Sequence, residues 1–195
     1  DITSAQGAAQ VIIESAQWAK SLTGLVVTAG NSTNHSSLEM TPEQWKEVRD
    51  CHLDGHFYMN QAFARHLVAN KTGGAIVNFS SVAHIFGWPR RLPYAVAKAG
   101  IDALTRTLAV EWAEFGIRVN AIAPGYVNTA MVLNAQQAGY LDPSLVDMHA
   151  MKRFSEPDEI AAGVQFLLST EASFITGEIL TIDGGFSVNK IPWHK

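Results

Sequence analysis

Four short apolar runs, each closed by glycine, serine or proline-glycine and separated by long helical patterns, limit what this chain can fold into. The runs are Leu25-Val26-Val27-Thr28-Ala29-Gly30, Gly74 to Ser81, Ile117 to Ala123 and Glu178 to Asp183. Their length and β-branching read as buried strands. Ahead of the first, Thr3 or Ser4 caps a helix in which Ala8, Val11, Ile12, Ala16, Ala19 and Leu22 recur at helical spacing. Thr41-Pro42-Glu43-Gln44 forms a capping box with proline in the first turn, so a helix is expected from there to about Asn70. A further helix runs from about Tyr94 to Phe115, closed by Gly116, and Ser155 caps one that reaches about Ser169. Tyr126 to Phe154 reads as loop-rich. Strands alternating with helices imply βαβ units, and hence one α/β domain: a parallel sheet with helices on both faces.

At 195 residues, against roughly 150 per domain, one domain is enough. The 14 basic and 18 acidic side chains leave a net charge of −4, too small and too dispersed for a nucleic-acid footprint. Charged residues make up 16% of the chain, below the ~25% of an average soluble domain. The 47% hydrophobic fraction is ordinary, so the shortage of charge points to helix faces covered by neighbouring subunits. Cys51 is the only cysteine; an intramolecular disulfide is excluded and a reducing, cytoplasmic setting is expected. No apolar run approaches the ~18 residues of a membrane helix, and Asp1-Ile2-Thr3-Ser4 carries no basic leader pattern.

In an open parallel sheet, ligands bind beyond the carboxyl ends of the strands. Ala29-Gly30, Ser80-Ser81 and Pro124-Gly125 all fall there and would line one crevice. Tyr94-Ala95-Val96-Ala97-Lys98 adds a phenol and an ammonium at i, i+4, on one helix face. A free tyrosine titrates near 10, and a nearby cation brings it closer to the range of a general acid/base. Ser81, 13 residues before Tyr94, is placed to hydrogen-bond a substrate oxygen beside the phenol. A Tyr-x-x-x-Lys pair alone is common on exposed helices; the conjunction with the strand ends carries the chemistry.

These residues, with Trp45 through Phe57, Arg118-Val119-Asn120-Ala121-Ile122-Ala123-Pro124-Gly125 and Thr176-Gly177 through Asp183-Gly184-Gly185, resemble the short-chain dehydrogenases/reductases over essentially the whole chain. The resemblance implies a Rossmann-like, doubly wound parallel sheet and a nicotinamide cofactor, NAD or NADP. It makes Tyr94 the catalytic acid/base, Lys98 the residue that lowers its pKa and binds the nicotinamide ribose, and Ser81 the holder of the substrate oxygen. Pro124, Gly125, Val127 and Thr129 would contact the nicotinamide end and Ala29 and Gly30 the adenosine side. Asp1 and Ile2 would reach the adenine. Ser81, His84, Trp88 and Tyr126 would line the substrate pocket. The expected substrate is a small alcohol or ketone, and features such as Glu111-Trp112-Ala113-Glu114 are similar to members acting on sugar alcohols, ketoses and sugar acids. The resemblance also implies a homo-oligomer, a tetramer or dimer, paired through the helices at 42–70 and 94–115.

Three departures stand out. His52 occupies the position of a family asparagine that steadies a water beside the lysine; histidine also donates and accepts, so it is kept as a fourth catalytic residue, with a packing role as the alternative. Val27-Thr28 replaces the usual Asn-Asn before Ala-Gly. The family's glycine-rich phosphate loop, first strand and helix, and second strand have no counterpart here. With about 30 residues per βαβ unit, roughly 60 residues of the family fold are unaccounted for, so its first strands and helices are expected to be missing. Competing readings are a 3-oxoacyl reductase on the same scaffold, a non-catalytic binding module, and a serine hydrolase, which lacks its Gly-x-Ser-x-Gly elbow around Ser81. His52 and His56 have the spacing of a metal pair but no third ligand, so no metal is expected.

Overall fold

A computed structural model of the protein describes residues 1–31, 34–137, 139 and 141–190. Among them lies a four-stranded, all-parallel sheet in the order β1-β2-β3-β4: β1 Gly24–Val27, β2 Gly74–Phe79, β3 Ile117–Pro124 and β4 Ile179–Ile182. Val27 pairs with Asn78, Phe79 with Ile122, and Pro124 with Ile182, so the carboxyl ends of all four strands reach the same edge. The alternation of side chains along each strand feeds two cores. Leu25, Val27, Ile76, Ile117 and Val119 face one side, where α1 (Ala5–Trp18), α3 (Gly55–Ala69) and α4 (Leu92–Trp112) pack with Phe63, Leu67 and Leu108. Val77, Ile122, Leu180 and Ile182 face the other and meet α7 (Pro157–Leu168) through Ile160 and Leu167. Helices therefore cover both faces, as the strand–helix alternation requires. Among the described residues no helix is long and apolar enough to cross a membrane.

Local chemistry sets the element ends. Ser4 accepts from the Gly7 amide at the start of α1, and Thr41 and Gln44 close their capping box at the start of α2 (Pro42–Arg49). Gly116, at φ 70°, turns the chain out of the short 3₁₀ turn that follows α4 and into β3. Buried amides tie the central layer together: Asn60 Nδ2 on α3 donates to Asn78 Oδ1 at 2.7 Å, and Asn78 Nδ2 donates to Thr105 Oγ1 on α4 at 3.1 Å.

Several sequence expectations are corrected. The helix expected from Thr41 to Asn70 is interrupted: Asp50–Asp54 form a π-helical turn, in which the Gly55 amide bonds the Asp50 carbonyl. Lys46 and Arg49 both pair with the Asp50 carboxylate at its start. The first helix ends at Trp18 rather than Leu22, and α4 begins at Leu92 rather than Tyr94. The first strand stops at Val27, where its register with β2 ends, so Ala29-Gly30 lies in the loop beyond it. Ser155 does not cap α7; Glu156 does, while Ser155 pairs with Val127 in a parallel bridge. The stretch from Tyr126 to Phe154 contains two short helices, α5 (Ala130–Gln137) and α6 (Leu145–Met148), and residues 138 and 140 in it lie outside the described residues.

Candidate active site

The carboxyl edge of the sheet assembles the predicted residues from three directions. Ser81 leaves β2, extended, and its Oγ accepts from the Ala83 amide at 3.2 Å, which starts the 3₁₀ turn Val82–His84. Tyr94 stands in the first turn of α4, where Pro93 follows Leu92, near enough to Ser81 for the serine hydroxyl to favour the phenolate. Lys98 follows one turn later, only 4% exposed, with Nζ donating to the Phe79 carbonyl at 2.6 Å and lying 5.4 Å from the Tyr94 ring centroid. The π-helical turn presents His52 edge-on to the Tyr94 ring at 5.2 Å between centroids. Ser81, Tyr94, Lys98 and His52, dispersed over 47 positions of sequence (52 to 98), thus meet at one point.

The electrostatics are set by burial. It lifts the Tyr94 phenol above its ordinary range, and the hydrogen bond from Ser81 and the Arg91 guanidinium pull the value back. The Lys98 ammonium stays near the Tyr94 ring while donating to the Phe79 carbonyl. Burial also brings Lys98 down to about 8, opposed by the charges of Cys51 and Asp102. His52 is pushed down to about 4 by burial and by the Lys98 charge, so it is neutral at pH 7. Its Nε2 lies 2.6 Å from the Asn31 carbonyl and 3.0 Å from the Asn31 amide. The shorter contact is a donation to the carbonyl, which leaves Nδ1 as a buried acceptor with no hydrogen-bond partner among the described residues. His56, one turn on, sends its Nε2 to the Val27 carbonyl at 3.1 Å. The two histidines therefore address different carbonyls.

Beside Tyr94 stands a wall of aromatic rings. Trp88 meets Tyr94 at 6.2 Å and Tyr126 at 5.7 Å, both edge to face. Tyr126 stacks on Phe154 at 5.2 Å and meets Phe186 at 5.9 Å, and Phe86 closes on Phe186 at 5.5 Å. Burial pushes the Tyr126 phenol up to about 12. His149 is buried behind this wall, its Nδ1 on the Leu145 carbonyl at 2.9 Å and its Nε2 accepting from the Tyr126 amide at 3.4 Å. Sequence reading named Trp88 and Tyr126 but missed His149, Phe154 and Phe186, which carry no local motif. His84, expected in the substrate pocket, pairs its Nδ1 with Asp102 on α4.

The remaining predicted residues line the same edge. Gly125 donates to the Ile182 carbonyl at 3.1 Å, and a Cβ on it would stand 3.1 Å from Asp183 Cα, so β3 and β4 meet there without a side chain between them. Pro124 ends β3, Val127 bridges to Ser155, and Thr129 Oγ1 accepts from Val132 at the start of α5. Ala29 and Gly30 are exposed, with the His52 ring against Gly30. The Asp1 carboxylate accepts from the amide and hydroxyl of Thr3, both at 2.9 Å, and Ile2 packs against Gly55 at the head of α3.

A serine, a tyrosine and a buried lysine converge at the carboxyl edge of a parallel sheet, and the chain as a whole is similar to known proteins. A family model described as enoyl-(acyl carrier protein) reductase matches residues 1–187. The galactitol 2-dehydrogenase (L-tagatose-forming) of Cereibacter sphaeroides is 43% identical over 166 residues, which are 84% of this chain and 65% of that protein. The galactitol 2-dehydrogenase of Rhizobium johnstonii is 37% identical over 190 residues, 96% of this chain and 74% of that protein. Among solved structures, a gluconate 5-dehydrogenase from Burkholderia cenocepacia J2315, in complex with NADP and tartrate, superimposes with a TM-score of 0.88 at 28% identity, over 96% of this chain and 73% of the other. The chain belongs to the short-chain dehydrogenase/reductase family. It spans about two thirds of the length of the first of these relatives.

Proposed function

We propose that this protein is an NAD- or NADP-dependent oxidoreductase that interconverts a secondary alcohol and a ketone, with a polyol, sugar or sugar acid as substrate. The observation that carries the reading is Ser81 beside the Tyr94 phenol with Lys98 buried one helical turn away. Two neighbouring hydroxyls hold one substrate oxygen between them and fix its orientation. Tyr94 gives that oxygen its proton in reduction and takes it back in oxidation, and Lys98 supplies the positive charge that favours the phenolate. A bound nicotinamide cofactor supplies the hydride chemistry.

The site fits such a cofactor on two counts. Lys98 uses one of its three donors on Phe79, and His52 Nδ1 is a buried acceptor beside Tyr94. Tyr94 and Lys98 would hold its ribose, Pro124, Gly125, Val127 and Thr129 its nicotinamide end, Ala29 and Gly30 its adenosine side, and Asp1 and Ile2 its adenine. The galactitol dehydrogenases among its relatives support the polyol and sugar substrate class.

The same reading includes a homo-oligomer, a tetramer or dimer, in a cytoplasmic setting. Apolar side chains stand out on both long helices, Phe57 and Val68 on α3 and Val96 and Val110 on α4, with Val110 81% exposed. A second copy of these helices would cover them. A stable monomer in sedimentation would contradict this part.

The decisive test is Tyr94→Phe in the full-length protein. Turnover of an alcohol with NAD or NADP should fall by at least ~100-fold, while binding of NADH or NADPH, read by nicotinamide fluorescence, stays within a few-fold. An active Tyr94→Phe protein sinks the mechanism. A wild-type protein that binds neither cofactor would favour a non-catalytic binding module.

A further inference from the structure

Asp102 is a carboxylate in the buried stripe of α4, among Ala97, Ile101, Thr105 and Leu108, and only 5% of it is exposed. A charge so far from water is held only where partners compensate it. Ser80 Oγ donates to Asp102 Oδ1 at 2.5 Å, and His84 Nδ1 closes on Oδ2. Ser80 Oγ also lies 3.3 Å from the Lys98 carbonyl. Ser80 and His84 bracket Ser81, and the His84 amide donates back to the Ser81 carbonyl at 3.0 Å. The turn that carries Ser81 is thus fastened at both ends to α4, the helix that carries Tyr94 and Lys98. Asp102 follows Lys98 by one turn on the same face.

We propose that Asp102 is a positioning residue of the active site: through Ser80 and His84 it clamps the Ser81 turn onto α4, and it provides the counter-charge of the Lys98 ammonium. The groups facing Lys98 are the Phe79 carbonyl from β2, Cys51 and His52 from the π-helical turn, His56 from α3, and Tyr94 and Asp102 from its own helix. Of the two that favour its charged form, Asp102 is the carboxylate; Cys51 is a thiol whose own burial favours the neutral state. Replacing Asp102 by asparagine keeps the shape and an acceptor for Ser80 but removes the charge. Lys98 then loses its proton at lower pH.

The kinetic half of this proposal rests on the oxidoreductase reading; the electrostatic half does not. In the full-length protein with ¹³C-labelled lysine, the NMR titration midpoint of the Lys98 Cε should fall by roughly half a pH unit or more in Asp102→Asn. In alcohol oxidation, the fold-loss in kcat should grow from pH 6.5 to 8.5, with KM changed less than about twofold, a pattern that a purely structural defect does not produce. Asp102→Glu should recover most of both. Ser80→Ala, which loosens the clamp and keeps the charge, should lower kcat by about tenfold and leave the Lys98 midpoint in place. A folded Asp102→Asn protein with an unchanged Lys98 midpoint overturns the counter-charge, and wild-type kcat in Ser80→Ala overturns the clamp. If wild-type protein turns over no alcohol, the oxidoreductase reading fails while the Lys98 titration still decides the charge.

Discussion

The imidazole of His52 occupies the space a side chain on Gly30 would need: a Cβ there would stand 2.4 Å from His52 Cε1. Gly30 is therefore required for room. The same ring meets Tyr94 edge-on and bonds Asn31, so displacing it disturbs the site from beneath. Gly30→Ala should destabilise the fold by about 1–3 kcal/mol and lower turnover. His52→Asn, with its shorter side chain, should relieve the clash. Denaturant unfolding of the two single variants and the double variant should show a favourable coupling above ~1 kcal/mol; simple additivity would refute the interlock.

Lys98 sets function against stability. Its folded pKa of about 8 lies below its ordinary 10.5 because of burial. Between those values the unfolded chain holds the proton and the folded one does not, so stability from this group rises with pH from about 8 to 10.5. Below 8 both states are charged and the full penalty applies. Lys98→Met should therefore stabilise the protein at pH 7 by roughly 1–3 kcal/mol while abolishing turnover. Urea unfolding at pH 7 and pH 10 checks this, because the gain must shrink at the higher pH.

Acid should weaken the fold through the buried histidines. His52 titrates at about 4 and His56 at about 3, both pushed down chiefly by burial. As the pH falls below 6.5 the unfolded chain takes up protons first, so stability present above 6.5 is lost toward pH 4, at up to ~1.4 kcal/mol per pH unit for each ring. His56→Gln keeps a donor for the Val27 carbonyl and cannot titrate. Its stability curve between pH 6.5 and 4 should be flatter than that of the wild type, and an equal slope would count against burial as the cause.

The aromatic wall bears on substrate choice. Rings such as Trp88 and Tyr126 shed water when the carbon-rich face of a substrate covers them. Trp88→Ala should raise KM for a polyol or sugar substrate by about tenfold, or ~1.4 kcal/mol, and leave NADPH or NADH binding unchanged. Parallel assays with a 3-oxoacyl thioester would show which substrate class depends on Trp88. An unaltered KM for both would remove this wall from the substrate pocket.

Much of the fold was legible because it is written in local patterns. The strand runs, the Thr41 capping box and the closing Gly116 each act within a few residues. The π-helical turn at Asp50–Asp54 was not, since Asp-Cys-His-Leu-Asp contains no proline or glycine to mark it. Ser155 misled as a helix cap because Val127, 28 positions away, draws it into a bridge. Asp102 left a trace that went unused: a carboxylate in the apolar stripe of Ala97, Ile101 and Leu108.

The alternation of strands and helices, Ser81 just past a strand, Tyr94 and Lys98 one turn apart at the head of a helix, and the family resemblance are all written in local pattern. The Lys98 ammonium on the Phe79 carbonyl, His84 on Asp102, and Phe154 and Phe186 joining Trp88 and Tyr126 in one wall come from packing alone. What divides the two is distance along the chain. Spacing of one to four residues is fixed by helix and strand geometry. Contacts such as Phe86 with Phe186, 100 residues apart, exist only after the sheet has brought its carboxyl ends together.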